Sequence, residues 1–166
     1  MLIKEKELNS IKQNKVTLVK NFITLEKKYD FNLISNLIEE NELIVFSKTT
    51  YGNLKDVFQI LKVSNFFKVF FDFFRKLLKY EIDSRDEVDL FFSFASQVGG
   101  SHVDLEDVFI IGLKGKTIYR IFGKKNKDYE VKEGDLIYIP NGIKHKVIGM
   151  NPRIIASIGF YGKRIN

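Results

Sequence analysis

The sequence predicts a mainly β fold with helices (α+β): a double-stranded β-helix, or jelly-roll barrel, with N-terminal helices packed on the outside. Three observations carry this. From about Glu81 onward, short β-branched and aromatic runs alternate with turn residues. Before that point helical and strand periodicities mix. The length of 166 residues suits one core, and no repeat, low-complexity run or Pro/Gly/Ser linker divides it. A single domain over 1–166 is therefore expected, with 1–80 as a mixed lead-in and 81–166 as the barrel.

In the lead-in, Val16 to Phe22 is a β-branched run, Phe31 to Glu39 has helical spacing, and Leu43 to Phe46 is a short apolar strand. From Leu54 to Tyr80 apolar residues recur at helical intervals (Phe66, Phe70, Phe73, Leu77), with Ser64 and Asn65 as a break or a new N-cap. The phenylalanine density exceeds what one amphipathic stripe needs. Packing against the sheet accounts for most of it, and a homodimer face could use the rest. In the barrel, strands are predicted at Val88 to Phe94, Val108 to Leu113, Lys116 to Phe122, Leu136 to Ile139, Lys144 to Ile148 and Arg153 to Phe160. Turns are predicted at Gly99-Gly100, Gly112 to Gly115, Gly123 to Lys127, Gly134-Asp135 and Pro140-Asn141-Gly142.

Composition narrows the chemistry. The absence of cysteine excludes disulfides, thiolate metal sites, iron–sulfur clusters and cysteine nucleophiles, so any metal must be held by oxygen and imidazole nitrogen. Met1 to Ser10 alternates Lys and Glu without an apolar core, and no stretch is apolar enough to span a bilayer; a cytoplasmic protein is expected. The net charge is +6, but its lysines are scattered among acidic residues without an aromatic-interleaved basic stripe, so no nucleic-acid partner is expected.

The chain has only two histidines. His102 begins His102-Val103-Asp104, a spacing that puts both ligand-type side chains on one face of an extended segment. His145 follows the strand and tight turn of Gly134-Asp135-Leu136-Ile137-Tyr138-Ile139-Pro140-Asn141-Gly142-Ile143-Lys144. A jelly roll can bring such strand ends together at its mouth. Two histidines and one carboxylate occupy one side of an ion and leave the other positions open, the arrangement of non-haem Fe(II) oxygenases. Tyr119 and Tyr138 read as packing residues with hydroxyls directed to the barrel mouth.

These motifs carry a resemblance. Ser101-His102-Val103-Asp104-Leu105-Glu106-Asp107-Val108-Phe109-Ile110-Ile111, with Gly115 and Tyr119-Arg120, resembles the first metal motif of the JmjC-type cupin oxygenases, and Gly134 to His145 resembles the second. The pattern is most similar to the ribosomal oxygenases and an asparaginyl hydroxylase, over about Leu90 to Phe160. The resemblance implies Fe(II) held by His102, Asp104 and His145 as the catalytic ligands, 2-oxoglutarate as co-substrate, and hydroxylation of a peptide or protein side chain. Asp107, Gly115, Gly134, Asp135 and Pro140 match scaffold positions.

One departure from the family pattern matters. The Lys or Arg that pairs with the far carboxylate of 2-oxoglutarate in the ribosomal-oxygenase group falls here on Thr117, and the Lys of other JmjC proteins falls on Tyr119. Lys116 should face away by strand alternation. Arg153, on the strand after His145, is the expected substitute cation, with Thr117 and Tyr119 as hydroxyl partners. The alternatives are a metal-dependent cupin enzyme that does not use 2-oxoglutarate, and a non-catalytic cupin-like binding module.

Overall fold

The computed structural model describes residues 1–25, 31–46, 56–63 and 67–165. The lead-in contains α1 (Glu5–Lys12), β1 (Thr17–Val19), α2 (Phe31–Glu40), β2 (Leu43–Phe46), β3 (Val57–Ile60) and α3 (Lys68–Leu78). Strands then follow one another: β4 (Glu87–Ser93), β5 (Gln97–His102), β6 (Asp107–Lys114), β7 (Lys116–Ile121), β8 (Lys127–Lys132), β9 (Leu136–Ile139), β10 (His145–Gly149) and β11 (Arg153–Phe160).

Two antiparallel sheets form, one of seven strands in the order β1-β9-β6-β11-β4-β3-β2 and one of four in the order β5-β10-β7-β8. Strands of the lead-in thus flank the larger sheet on both sides. Its central strands are apolar on successive residues because both faces are covered. Phe109, Ile111, Leu136, Tyr138, Ile154 and Ala156 face a core shared with the helices. Their neighbours Val108, Ile110, Ile137, Ile139 and Ile155 face a second core shared with Tyr119 and Val131 of the smaller sheet. The result is the jelly roll with outside helices that the strand–turn cadence predicts.

Helix α3 shows how the phenylalanines are used. Phe70, Phe74 and Leu78 recur every fourth residue and are buried. The ring of Phe74 stacks on Phe109 at 4.3 Å, and that of Phe71 on Phe160 at 5.0 Å. The helix ends at Lys79, which takes the left-handed conformation at φ 54°. These rings belong to the chain's own core.

Several expectations are corrected. The helical spacing projected from Leu54 gives way to a strand at Val57–Ile60, because β2 and β4 pair with both of its edges and its Val, Phe and Ile suit a pleated, half-buried surface. Leu54, Ser64, Asn65 and Phe66 lie outside the described residues. Gly99-Gly100 is extended strand within β5 rather than a turn. The polar strand β8 and helix α1 carry too little apolar periodicity to be read in advance. Pairing with β7 fixes the first, and the Glu7 carboxylate, accepting from the Lys4 amide at 2.9 Å, caps the second.

Gly112 makes a close approach that only glycine allows. Its amide donates to the Asp135 carbonyl at 3.0 Å, and a Cβ here would sit 2.2 Å from the Lys132 carbonyl oxygen. Gly112→Ala is expected to lower stability by about 1–3 kcal/mol, read as a lower urea midpoint at constant slope.

Candidate metal centre and cavity

His102 closes strand β5 and His145 opens strand β10, and the two are directly paired in register. Directly opposed residues of an antiparallel pair project to the same face. The two imidazole rings accordingly meet at 4.3 Å between centroids. Asp104 lies just past the end of β5 and turns its carboxylate between them. Its Oδ1 is 3.6 Å from His102 Nε2 and its Oδ2 is 3.5 Å from His145 Nε2. One ligand atom from each residue falls within 4.8 Å of the others. Atoms bonded to one ion at about 2.0–2.2 Å stand roughly 3–4 Å apart, so the three fit a shared metal.

The orientation of the rings supports the same fit. His102 Nδ1 lies 3.3 Å from the Gly100 carbonyl oxygen and His145 Nδ1 3.1 Å from that of Ile143. A proton on each Nδ1 satisfies those carbonyls and leaves the Nε2 lone pairs directed at the common point. Burial, the largest influence, holds the His145 imidazole below its ordinary pKa, so it is neutral and able to ligate near neutral pH. Exposure is graded across the trio: the His102 side chain is 50% accessible, Asp104 21% and His145 2%. The site therefore opens on the His102 side.

Behind the trio lies a cavity of about 620 Å³ between the two sheets. Arg153 and Tyr119 form one part of its wall. Arg153 is buried, and its guanidinium donates to Ser93 Oγ and Thr117 Oγ1, each at 3.3 Å. Among the described residues it takes part in no ion pair. Burial pulls it below its ordinary pKa, though a guanidinium stays protonated in proteins. The Tyr119 hydroxyl, fully buried, has no hydrogen-bond partner among the described residues, and desolvation raises its pKa. A buried cation and a buried orphan hydroxyl in one cavity leave polar capacity that a small anionic ligand would satisfy.

The structure therefore brings together His102, Asp104, His145, Tyr119 and Arg153 around one cavity, with Thr117 behind Arg153. Lys116 points outward to Glu130 at 3.4 Å, as alternation requires. Tyr138 does not reach the mouth: its hydroxyl meets Arg164 in the helix-side core, because odd and even residues of β9 face different cores. Sequence reasoning missed Ser93, which accepts from Arg153, and Gly149, where a Cβ would stand 2.6 Å from Arg153 Nε. It also missed an acidic wall. Glu87, Asp89 and Glu106 line the same cavity, and burial raises the pKa of each carboxyl. The signal was present in Glu87-x-Asp89, two carboxylates on one face of an otherwise apolar strand.

No protein-family model matches the sequence, and a search of curated proteins finds no match. Solved structures do match. The ribosomal oxygenase YcfD from Escherichia coli superposes with a TM-score of 0.74 at 22% identity, covering 100% of this chain and 53% of that one. Its complex with cobalt and 2-oxoglutarate gives 0.68 at 22% identity, covering 93% and 49%. An oxidoreductase of the 2OG-Fe(II) oxygenase family from Burkholderia pseudomallei gives 0.64 at 11% identity, covering 100% and 96%. The chain thus shares the fold of these oxygenase structures, and it spans about half the length of the ribosomal oxygenase.

Proposed function

We propose that this chain is an Fe(II)- and 2-oxoglutarate-dependent oxygenase that hydroxylates a side chain of a peptide or protein. The observation that carries this reading is the pairing, in one cavity, of the His102, Asp104 and His145 ligand set with a buried Arg153 that has no carboxylate partner among the described residues. The first calls for a divalent metal with open positions, and the second for an anion. Similarity to a structure holding cobalt and 2-oxoglutarate supports both parts, and similarity to a ribosomal oxygenase supports a protein substrate.

In this reading His102, Asp104 and His145 hold one face of the iron. Arg153, braced by Thr117 and Ser93, takes the far carboxylate of 2-oxoglutarate, and Tyr119 gives its unpartnered hydroxyl to the same group. With both bound, the metal would activate dioxygen, which is the oxidant, and 2-oxoglutarate would supply the two further electrons that its reduction requires, so that one oxygen atom can enter the target C–H bond. The apolar wall of Val108, Ile110 and Ile155 keeps bulk water from the reacting centre. Residues 1–166 act as one domain in which 1–80 supply the outer helices and sheet edges and 81–166 the metal-binding barrel. Cysteine-free composition agrees with a cytoplasmic setting, and no helix among the described residues is long and apolar enough to cross a membrane.

The deciding experiment is anaerobic titration of the Fe(II) protein with 2-oxoglutarate, followed in the visible spectrum. A saturable metal-to-ligand charge-transfer band is expected. Metal binding without such a band would reject the co-substrate in favour of a cupin enzyme whose own substrate meets the metal. Failure to bind any divalent metal would leave only a ligand-binding module.

A further inference from the structure

The geometry points to Asp107, held by Arg164 and Tyr80, as a positioning residue that sets how His145 approaches Asp104; this deepens the function proposed above and rests on it for the identity of the site. The Asp107 carboxylate is fully engaged. Its Oδ2 accepts from the Tyr80 hydroxyl at 2.5 Å and from Arg164 Nη2 at 2.7 Å, and its Oδ1 accepts from the Asn141 amide at 3.0 Å. The next amide, that of Gly142, donates to the backbone carbonyl of Asp104 at 3.0 Å.

Two consecutive amides of the Pro140-Asn141-Gly142 turn are thus bound to the two ends of the 104–107 segment. One end is a metal-ligand residue itself. The turn leads within three residues to His145, whose ring is then oriented by the Ile143 carbonyl. Gly142 takes φ +74°, a left-handed conformation that favours glycine and turns the chain onward to His145. The distance between His145 Nε2 and Asp104 Oδ2, 3.5 Å, is in this way defined by the lacing of two loops as well as by the β5–β10 register.

Arg164 connects this lacing to the rest of the chain. Besides Asp107 it donates to the Tyr80 hydroxyl at 2.9 Å, to the Ile11 carbonyl at 2.7 Å and to the Tyr138 hydroxyl. It therefore joins the end of α1, the exit from α3, strand β9 and the start of β6. Its planar fork suits this many partners, and charge-assisted bonds to a half-buried carboxylate are of the stronger kind. Asp107 is three residues from a ligand and touches no reacting group. Its effect passes through the turn, in the manner of partners that orient metal ligands from outside the coordination shell.

The test uses the metal-free protein first. Amide hydrogen exchange of Asn141 and Gly142 is compared between wild type and Arg164→Met, with the amides of β6 and β11 as internal reference. Cobalt(II) affinity is then measured by equilibrium dialysis. In Arg164→Met, exchange at the two turn amides is expected to accelerate at least tenfold more than in the reference strands, and cobalt to bind about 10–100-fold more weakly. Tyr80→Phe, which removes one hydroxyl donor and leaves the ring, gives the same pattern at smaller amplitude and stands in if the arginine variant does not fold. Uniform acceleration of all amides, or a loosened turn with unchanged cobalt affinity, would overturn the assignment and reduce Arg164 to a general fold contact. A wild type that binds no cobalt would remove the proposed function, and the positioning role would fall with it; loss of the local exchange effect alone would remove only the positioning role.

Discussion

His145→Ala is expected to abolish stoichiometric divalent-metal binding while leaving a folded protein. The residue contributes one of the three ligand atoms that fall within 4.8 Å of one another, and it is the most enclosed of them. Perturbing groups outside a coordination shell typically weakens metal binding 10–100-fold, so removing a ligand should exceed about 100-fold. Asp104→Ala and His102→Ala should act in the same direction. The fold should survive because the residue sits at the start of β10, outside both apolar cores. Dialysis against Fe(II) or Mn(II) with metal analysis, beside circular dichroism, reads both parts. Retention of one equivalent of metal would remove the central assignment. The same imidazole gives a pH dependence in the metal-free protein. Burial lowers its folded pKa beneath the ordinary 6.5, so the unfolded chain takes up the proton first. Stability present above about 6.5 is therefore lost as pH falls through the folded value.

Arg153→Met is expected to weaken 2-oxoglutarate binding on the order of a hundredfold or more, with metal affinity unchanged. Truncating one member of a buried, hydrogen-bonded charge pair costs about 2–5 kcal/mol, and each 1.4 kcal/mol is about tenfold. The ligand-free protein should lose no stability and should gain some, since methionine fills much of the same space without a buried unpaired charge. Gly149→Ala offers an independent route to the same loss. Its methyl group would crowd Arg153 Nε from 2.6 Å and push the guanidinium from its place between Ser93 and Thr117. Charge-transfer titrations of both variants, with thermal melts of the ligand-free proteins, measure the two effects. Undiminished 2-oxoglutarate affinity in both would move the anchor away from Arg153.

The barrel was legible because its strands are short, β-rich and separated by glycine and proline turns; β11 was delimited residue for residue. The convergence of His102, Asp104 and His145 was legible because a chain with two histidines offers few ways to build a metal site. Arg153 was expected at the cavity because the family resemblance implies a cation that Thr117 and Tyr119 do not supply, and it does line that cavity; its role as an anchor is the proposal made above. What could not be read depends on pairing across long stretches of sequence. Nothing local marks Val57–Ile60 as a strand until β2 and β4 lie beside it. Nothing near Arg164 announces that it will meet Asp107, 57 residues away. The acidic wall was visible as letters but not as a wall, because its members come from β4 and from the loop after β5.

The position of β11 also governs how this protein must fold. The strand from Arg153 to Phe160 lies at the centre of the larger sheet, between β6 and β4, and β1 pairs with β9, so that Thr17 faces Tyr138. The sheet cannot close on a nascent chain until residue 160 is available. Until then β4 and β6 expose apolar edges that later become its middle. Loops of this length must be closed before their contacts stabilise anything, so folding is expected to be slower than that of a chain built from local contacts.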